Sequence, residues 1–218
     1  MSNKTLLNQS NTSSPILIFG GSFDPPHKAH ITLPQHVARI IKATTILYIP
    51  AGNPPHKSRM MTPANHRVAM LELALTDYPQ SQIITCEIDR GGTSYTYDTL
   101  QHLKAIFPSN QQFRLLIGAD MAASFYSWYK PNEIIELAEP IVMIRPPYKP
   151  EDILKKLPTD LSILERDSWK SRIIPIDQIP VSSTEIRTLL KEKPNTPELS
   201  ELLHPEVLSY IQDHKLYS

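Results

Sequence analysis

Short apolar runs alternate along this chain with segments of helical spacing, and that alternation leaves few folds open. Ile16-Leu17-Ile18-Phe19, closed by Gly20 and Gly21, reads as a buried strand ending in a turn. Residues 30–42 read as a helix, with Val37, Ile40 and Ile41 near helical spacing. Residues 45–49, rich in β-branched side chains, read as a second strand. Residues 63–76 are a predicted helix carrying Val68, Leu71 and Leu75 on one face. A third strand over 82–88, a helix over 97–106 and a fourth strand over 113–117 follow. A helix over 133–138 and strands over 141–144 and 172–176 complete the pattern. Strands that are apolar on both faces and separated by helices imply an α/β fold, a parallel sheet with helices on both faces. The C-terminal remainder reads as a small helical part. In such sheets ligands bind beyond the carboxyl ends of the strands, so the informative loops are those that follow strands.

The chain has 218 residues with 40% apolar content, which suits one domain over residues 15–218 behind a polar, Ser- and Asn-rich tail over 1–14 that is expected to be disordered. Lys and Arg total 22 and Asp and Glu total 22, so the net charge is zero; a partner built of nucleic-acid backbone would favour a basic protein. No apolar run reaches membrane-spanning length, and residues 1–14 lack the apolar core of a secretory signal. A single cysteine, Cys86, fits a reducing cytoplasm. The sequence leaves the oligomeric state open. The chain spends only 6 Gly against 21 Pro, and each Gly falls at or just after a predicted strand end. Glycine belongs where backbone turns sharply or approaches a ligand, so these positions mark the working loops.

The first such loop is Gly20-Gly21-Ser22-Phe23-Asp24-Pro25-Pro26-His27-Lys28-Ala29-His30. It leaves a strand and enters a helix, whose N-terminus attracts anions. It has neither the Gly-Lys-Ser/Thr of a Walker A loop nor the third Gly of a dinucleotide fingerprint. His27 and His30, three apart at a helix start, can share one face and donate to phosphate oxygens. An isolated His-x-x-His is more often a surface pair, and no third ligand of zinc-like spacing stands nearby. The whole segment resembles the Gly-x-Phe-Asp/Asn-Pro-x-His-x-x-His signature of the nucleotidylyltransferase superfamily. That resemblance implies a Rossmann-like fold and phosphate contacts of ATP at Gly20, Gly21, Ser22, Phe23, His27 and His30. Most bacterial members have Gly before the second His; here Ala29 stands there, small enough to be accommodated.

Near the C-terminus, Val181-Ser182-Ser183-Thr184-Glu185-Ile186-Arg187 encodes a helix start, with Ser182 and Glu185 at capping-box spacing and Val181 and Ile186 at staple spacing. Arg187 lies where the helix dipole disfavours a cation, for which stability alone offers no reason and a bound anion would. The segment resembles the second signature of the same superfamily, which implies that Ser183, Thr184 and Arg187 hold the ATP phosphates from the opposite side. With His27 and His30, Arg187 completes the expected catalytic set.

The stretches between resemble bacterial nicotinate mononucleotide adenylyltransferases, from about Ile16 to the C-terminus: Asn53 to Lys57, Arg67, Arg90-Gly91-Gly92, Ser94-Tyr95-Thr96, Ile117-Gly118-Ala119-Asp120, Trp128-Tyr129, Ile144-Arg145-Pro146 and the tail over 204–217. The resemblance implies that Asn53, Lys57, Tyr95, Thr96, Gly118, Asp120, Trp128 and Arg145 bind the mononucleotide. The chemistry suits: Asn53 and Lys57 reach a phosphate, Asp120 accepts from ribose hydroxyls, Trp128 offers a flat face to a pyridine ring, and amides around Tyr95 and Thr96 read a ring carboxylate. Each residue has a plainer use as well. Trp128 is also a rim aromatic, Tyr95 and Tyr97 are packing residues, and Asp120 is a helix N-cap. The implied reaction is transfer of AMP from ATP to nicotinate mononucleotide, with magnesium arriving with ATP and no dedicated protein metal site. The rivals are another phosphate acceptor, such as nicotinamide mononucleotide or phosphopantetheine, and a non-catalytic nucleotide sensor on the same fold.

Overall fold

A computed structural model describes residues 14–53, 61–177 and 179–218. Most of the expected 1–14 tail, and Lys57, lie outside the described residues. Six strands form one sheet in the order β3-β2-β1-β4-β5-β6: β1 Ile16–Gly21, β2 Thr45–Pro50, β3 Ser81–Ile83, β4 Phe113–Gly118, β5 Glu139–Ile144 and β6 Ile173–Pro175. The registered pairs β1–β4, β2–β3, β4–β5 and β5–β6 are all parallel. The order reverses at β1, as in a doubly wound sheet, and the loop leaving β1 is where such a sheet takes its ligand. Among the described residues no helix is long and apolar enough to cross a membrane.

The described residues divide into two compact units. One comprises those of Met1–Phe19, Val37–Thr45 and Tyr95–Gln178; the other comprises those of Gly20–His36, Ile46–Ser94 and Ile179–Ser218. In the first, Ile16 to Phe19 pair with Phe113 to Leu116, and all eight are buried except Arg114. Arg114 and Arg172 both reach Glu139, at 3.0 and 3.3 Å, clamping β4 to β5 and β6. An aromatic cluster fills the space beside α5 (Ala119–Ala123) and α8 (Ile163–Ser171). The fully buried Trp169 packs on Phe125, and its indole N–H donates to the Tyr126 hydroxyl at 3.1 Å.

In the second unit, Ile46 to Tyr48 pair with Ser81 to Ile83, and Gln35 ties α1 (Lys28–Ile40) to that edge. Its amide donates to Ser81 Oγ at 2.8 Å and its carbonyl oxygen accepts from Gln80 at 2.6 Å. Helix α2 (Ala64–Ala74) packs against α11 (Pro205–Asp213), where His66 Nδ1 lies 2.9 Å from the Tyr210 hydroxyl.

The expected strand over 82–88 is corrected. The ladder stops at Ile83, and Cys86–Arg90 forms a short helix, α3. Ile84, Cys86 and Ile88 alternate as in a strand, but local bonding decides. Thr85 turns at φ −89° and ψ 14°, its hydroxyl donates to Asp89 at 2.7 Å, and the Asp89 amide donates to the Thr85 carbonyl at 2.9 Å. Glu87 and Asp89 in that turn also suit the helix dipole. Gly52 makes this layout possible: a Cβ there would lie 2.5 Å from the Glu87 carbonyl oxygen.

Candidate active site

The loop from Gly20 to Pro26 and the start of α1 form the first half of the site. Phe23 holds a left-handed backbone, φ 49°, unusual for a large side chain. Its ring is fully buried, meets His30 edge to face at 5.3 Å and lies tilted against Tyr48 at 5.9 Å, so packing enforces the turn. The rings of His27 and His30 stack with centroids 3.6 Å apart. The His27 carbonyl accepts from the His30 amide at 2.8 Å, while the His27 amide donates to His30 Nδ1 at 3.4 Å. With Nδ1 accepting, a neutral His30 ring carries its proton on Nε2, and Nε2–H is then a donor for an anion. Ala29 is buried within α1, so the departure from the usual Gly is absorbed.

The second half is the start of α9 (Ser183–Glu192). Ser182 caps it, as half of the capping box read from the sequence: its hydroxyl accepts from the Glu185 amide at 3.2 Å, but the Glu185 carboxylate takes that hydroxyl at 2.7 Å instead of closing the box on the Ser182 amide; Val181 and Ile186 are buried. The two signatures touch. Ser183 Oγ donates to the Pro25 carbonyl at 3.0 Å, and Arg187 Nη1 donates to the Asp24 carbonyl at 2.7 Å. Arg187 Nη2 also donates to Thr184 Oγ1 at 2.9 Å. Stability therefore does give Arg187 a role, contrary to the sequence expectation: it braces the first loop from the second helix. Gly20, Gly21, Ser22, Phe23, His27, His30, Ser183, Thr184 and Arg187 all belong to one unit and to this one arrangement.

Three further residues organise the loop. Arg67, 2% exposed, donates Nε to the Thr62 carbonyl at 2.9 Å, Nη1 to the Ser22 carbonyl at 2.9 Å and Nη2 to the Ala51 carbonyl at 2.8 Å. Burial pushes its pKa down, and the neighbouring Asp24 carboxylate opposes that shift. Asp24 is itself 2% exposed; its carboxylate accepts from the Tyr217 hydroxyl at 2.7 Å and the Thr62 amide at 3.4 Å. Burial holds the Tyr217 hydroxyl well above the ordinary tyrosine range, so it is a donor at neutral pH. In the sequence, Arg67 and the tail stand out only as points of resemblance. A cation in the middle of an otherwise apolar helix face was the available signal for Arg67; Tyr217 carried none.

The described residues expected to bind the mononucleotide are divided between the two units. Asn53, exposed, has its backbone engaged by Ser94: its carbonyl accepts from the Ser94 amide at 3.0 Å and its amide donates to Ser94 Oγ at 3.1 Å. In the other unit Tyr95 caps α4 (Thr96–Ile106), and the geometry of a helix start leaves the Thr96 amide without an intrahelical acceptor. The Tyr95 ring meets Tyr129 at 5.0 Å. Trp128, half-buried, packs on Phe125 at 5.1 Å. Asp120 is exposed in the first turn of α5, whose N-cap is Gly118, so the capping role weighed for Asp120 falls to Gly118. A Cβ at Gly118 would come within 2.8 Å of Asp120 Oδ1. Arg145 is exposed just after β5. Among the described residues no three His, Cys, Asp or Glu side chains gather to hold a metal ion.

Comparison with known proteins agrees with this architecture. A sequence profile described as cytidylyltransferase-like matches residues 18–189. A "probable nicotinate-nucleotide adenylyltransferase" of Oceanobacillus iheyensis is 34% identical over 200 residues, 92% of this chain and 95% of that protein. The nicotinate-nucleotide adenylyltransferase of Bacillus subtilis is 35% identical over 201 residues, 92% of this chain and 96% of its own. The solved structure of Plasmodium falciparum nicotinic acid mononucleotide adenylyltransferase, complexed with NaAD, superposes with a TM-score of 0.71 over 94% of this chain and 97% of that one; at 23% identity it speaks for the fold. The chain belongs to the nicotinate-nucleotide adenylyltransferase family, within the cytidylyltransferase-like proteins.

Proposed function

We propose that the chain transfers AMP from ATP to nicotinate mononucleotide, releasing pyrophosphate and forming the nicotinate adenine dinucleotide used in NAD synthesis. The observation that supports this is the meeting of two helix starts, fixed by the Arg187–Asp24 and Ser183–Pro25 hydrogen bonds beside the stacked His27 and His30 rings. A phosphate oxygen of the acceptor attacks the α-phosphorus of ATP, the bond to the bridging oxygen breaks, and the electron pair leaves on pyrophosphate. The acceptor phosphate is already ionised at neutral pH, so no side-chain base is needed. Catalysis is positioning plus neutralisation of developing charge by His27, His30, Arg187 and the helix amides. Ser183 and Thr184 join the loop from Gly20 to Phe23 around the ATP phosphates. Asn53, Lys57, Tyr95, Thr96, Gly118, Asp120, Trp128 and Arg145 are assigned to the acceptor. Magnesium belongs to the nucleotide, held by its phosphate oxygens. We further propose a reducing, cytoplasmic setting. It is supported by the single cysteine, Cys86, which is buried and leaves no internal disulfide to form.

The test is pyrophosphate release from ATP and magnesium with each candidate acceptor. Nicotinate mononucleotide is expected to exceed nicotinamide mononucleotide in kcat/KM by at least roughly tenfold. Amides at the start of α4 can donate to both oxygens of a ring carboxylate, whereas an amide group turns its own donor toward one of them. A buried donor left unpaired costs about 1–3 kcal/mol, and the charge on the carboxylate widens the gap. Equal values, or a preference for the amide, would remove the ring-reading role from Tyr95 and Thr96. No turnover with either acceptor would remove the proposed activity.

A further inference from the structure

We propose that Tyr217 is a positioning residue for the ATP site, setting the phosphate-binding loop through the buried carboxylate of Asp24. Asp24 sits between the left-handed Phe23 and the two phosphate-side histidines, and three contacts grip it from outside its own loop. Its carbonyl accepts from Arg187, one carboxylate oxygen accepts from Tyr217, and the other accepts from the Thr62 amide. Thr62 is in turn held by Arg67, which also holds Ser22. Tyr217 is placed for this by its own left-handed backbone, φ 65°, and by the turn after α11, where the Leu216 amide donates to the Ile211 carbonyl at 3.0 Å. A residue 193 positions from Asp24 thus fixes the carboxylate whose backbone carries the loop. The hydroxyl touches the loop and not the reacting atoms, so its effect falls on nucleotide affinity.

The proposal rests on the nucleotide-binding half of the reading above, and its test does not require the acceptor to be known. Binding of a non-hydrolysable ATP analogue with magnesium is measured by calorimetry on the full chain and on Tyr217→Phe, with folding checked by circular dichroism. Phe keeps the ring and removes only the donor. The expected result is a roughly tenfold weaker Kd, the order of one hydrogen bond to a charged group. In the steady state, KM for ATP should rise similarly and KM for nicotinate mononucleotide should stay within about twofold. On an Asp24→Ala background the Tyr217→Phe change should add nothing, since the acceptor it serves is gone. An unchanged analogue Kd overturns the proposal, and so does an equal rise in both KM values or a full further loss on the Asp24→Ala background. A Tyr217→Phe chain that fails to fold overturns it too, because the hydroxyl would then serve the fold as a whole. If wild type binds the analogue but uses neither mononucleotide, the proposed reaction fails while the role of Tyr217 is still decided by the binding series.

Discussion

His30→Ala is expected to lower pyrophosphate release by about a hundredfold or more while the chain remains folded. The ring is half-buried, and its backbone partners do not depend on it: the His30 amide bonds to the His27 carbonyl, and the His30 carbonyl accepts from the Tyr48 hydroxyl at 3.3 Å. What the substitution removes is the Nε2 donor, whose tautomer the His27 amide selects by occupying Nδ1. It also removes one ring of the stack and an edge contact with Phe23, a loss of order 1 kcal/mol. Rate and stability should therefore separate. The check is single-turnover pyrophosphate release beside a thermal melt. A folded variant retaining a third or more of the wild-type rate would take His30 out of the transition state.

Arg67→Met is expected to have the largest effect on stability, about 3–5 kcal/mol, read as a lower urea midpoint. The guanidinium satisfies three carbonyls that point from three different segments, at Ser22, Ala51 and Thr62. Its charge also faces the buried Asp24. Met fills much of the volume but leaves those carbonyls and that carboxylate without the cation. Arg67→Lys should recover less than half of the loss, because one ammonium on a flexible stem cannot reproduce a planar fork in three directions. A cost below about 1 kcal/mol for Met would show that these loops hold their shape without it.

The legible parts of this molecule are those whose causes are local. Residues 16–19 and, Arg114 apart, 113–117 read as buried strands because a strand covered on both faces is apolar along most of its length, and they pair in the sheet. Ser182 read as a cap because its partner, Glu185, is three residues away. The misreading at 82–88 came from the same rule: alternating Ile84, Cys86 and Ile88 imitate a strand, and one Thr85–Asp89 contact outweighs them. The organisation of the site was legible only in part. The two signatures could be expected to meet, but that Arg187 would bond the Asp24 carbonyl, 163 positions away, has no periodicity to announce it. Arg67 and Tyr217 act over 45 and 193 positions, and a sequence pattern carries no information at such separations.

That long reach has a temporal side. A polypeptide is made from its N-terminus, so the hydroxyl partner of Asp24 emerges 193 residues after it. Until then the strained turn at Phe23 has Tyr48 and His30 against it but neither Arg187 nor Tyr217 gripping the next residue. A nascent chain therefore carries its nucleotide loop without the clasp that shapes it, and the clasp closes only after all six sheet strands have been made.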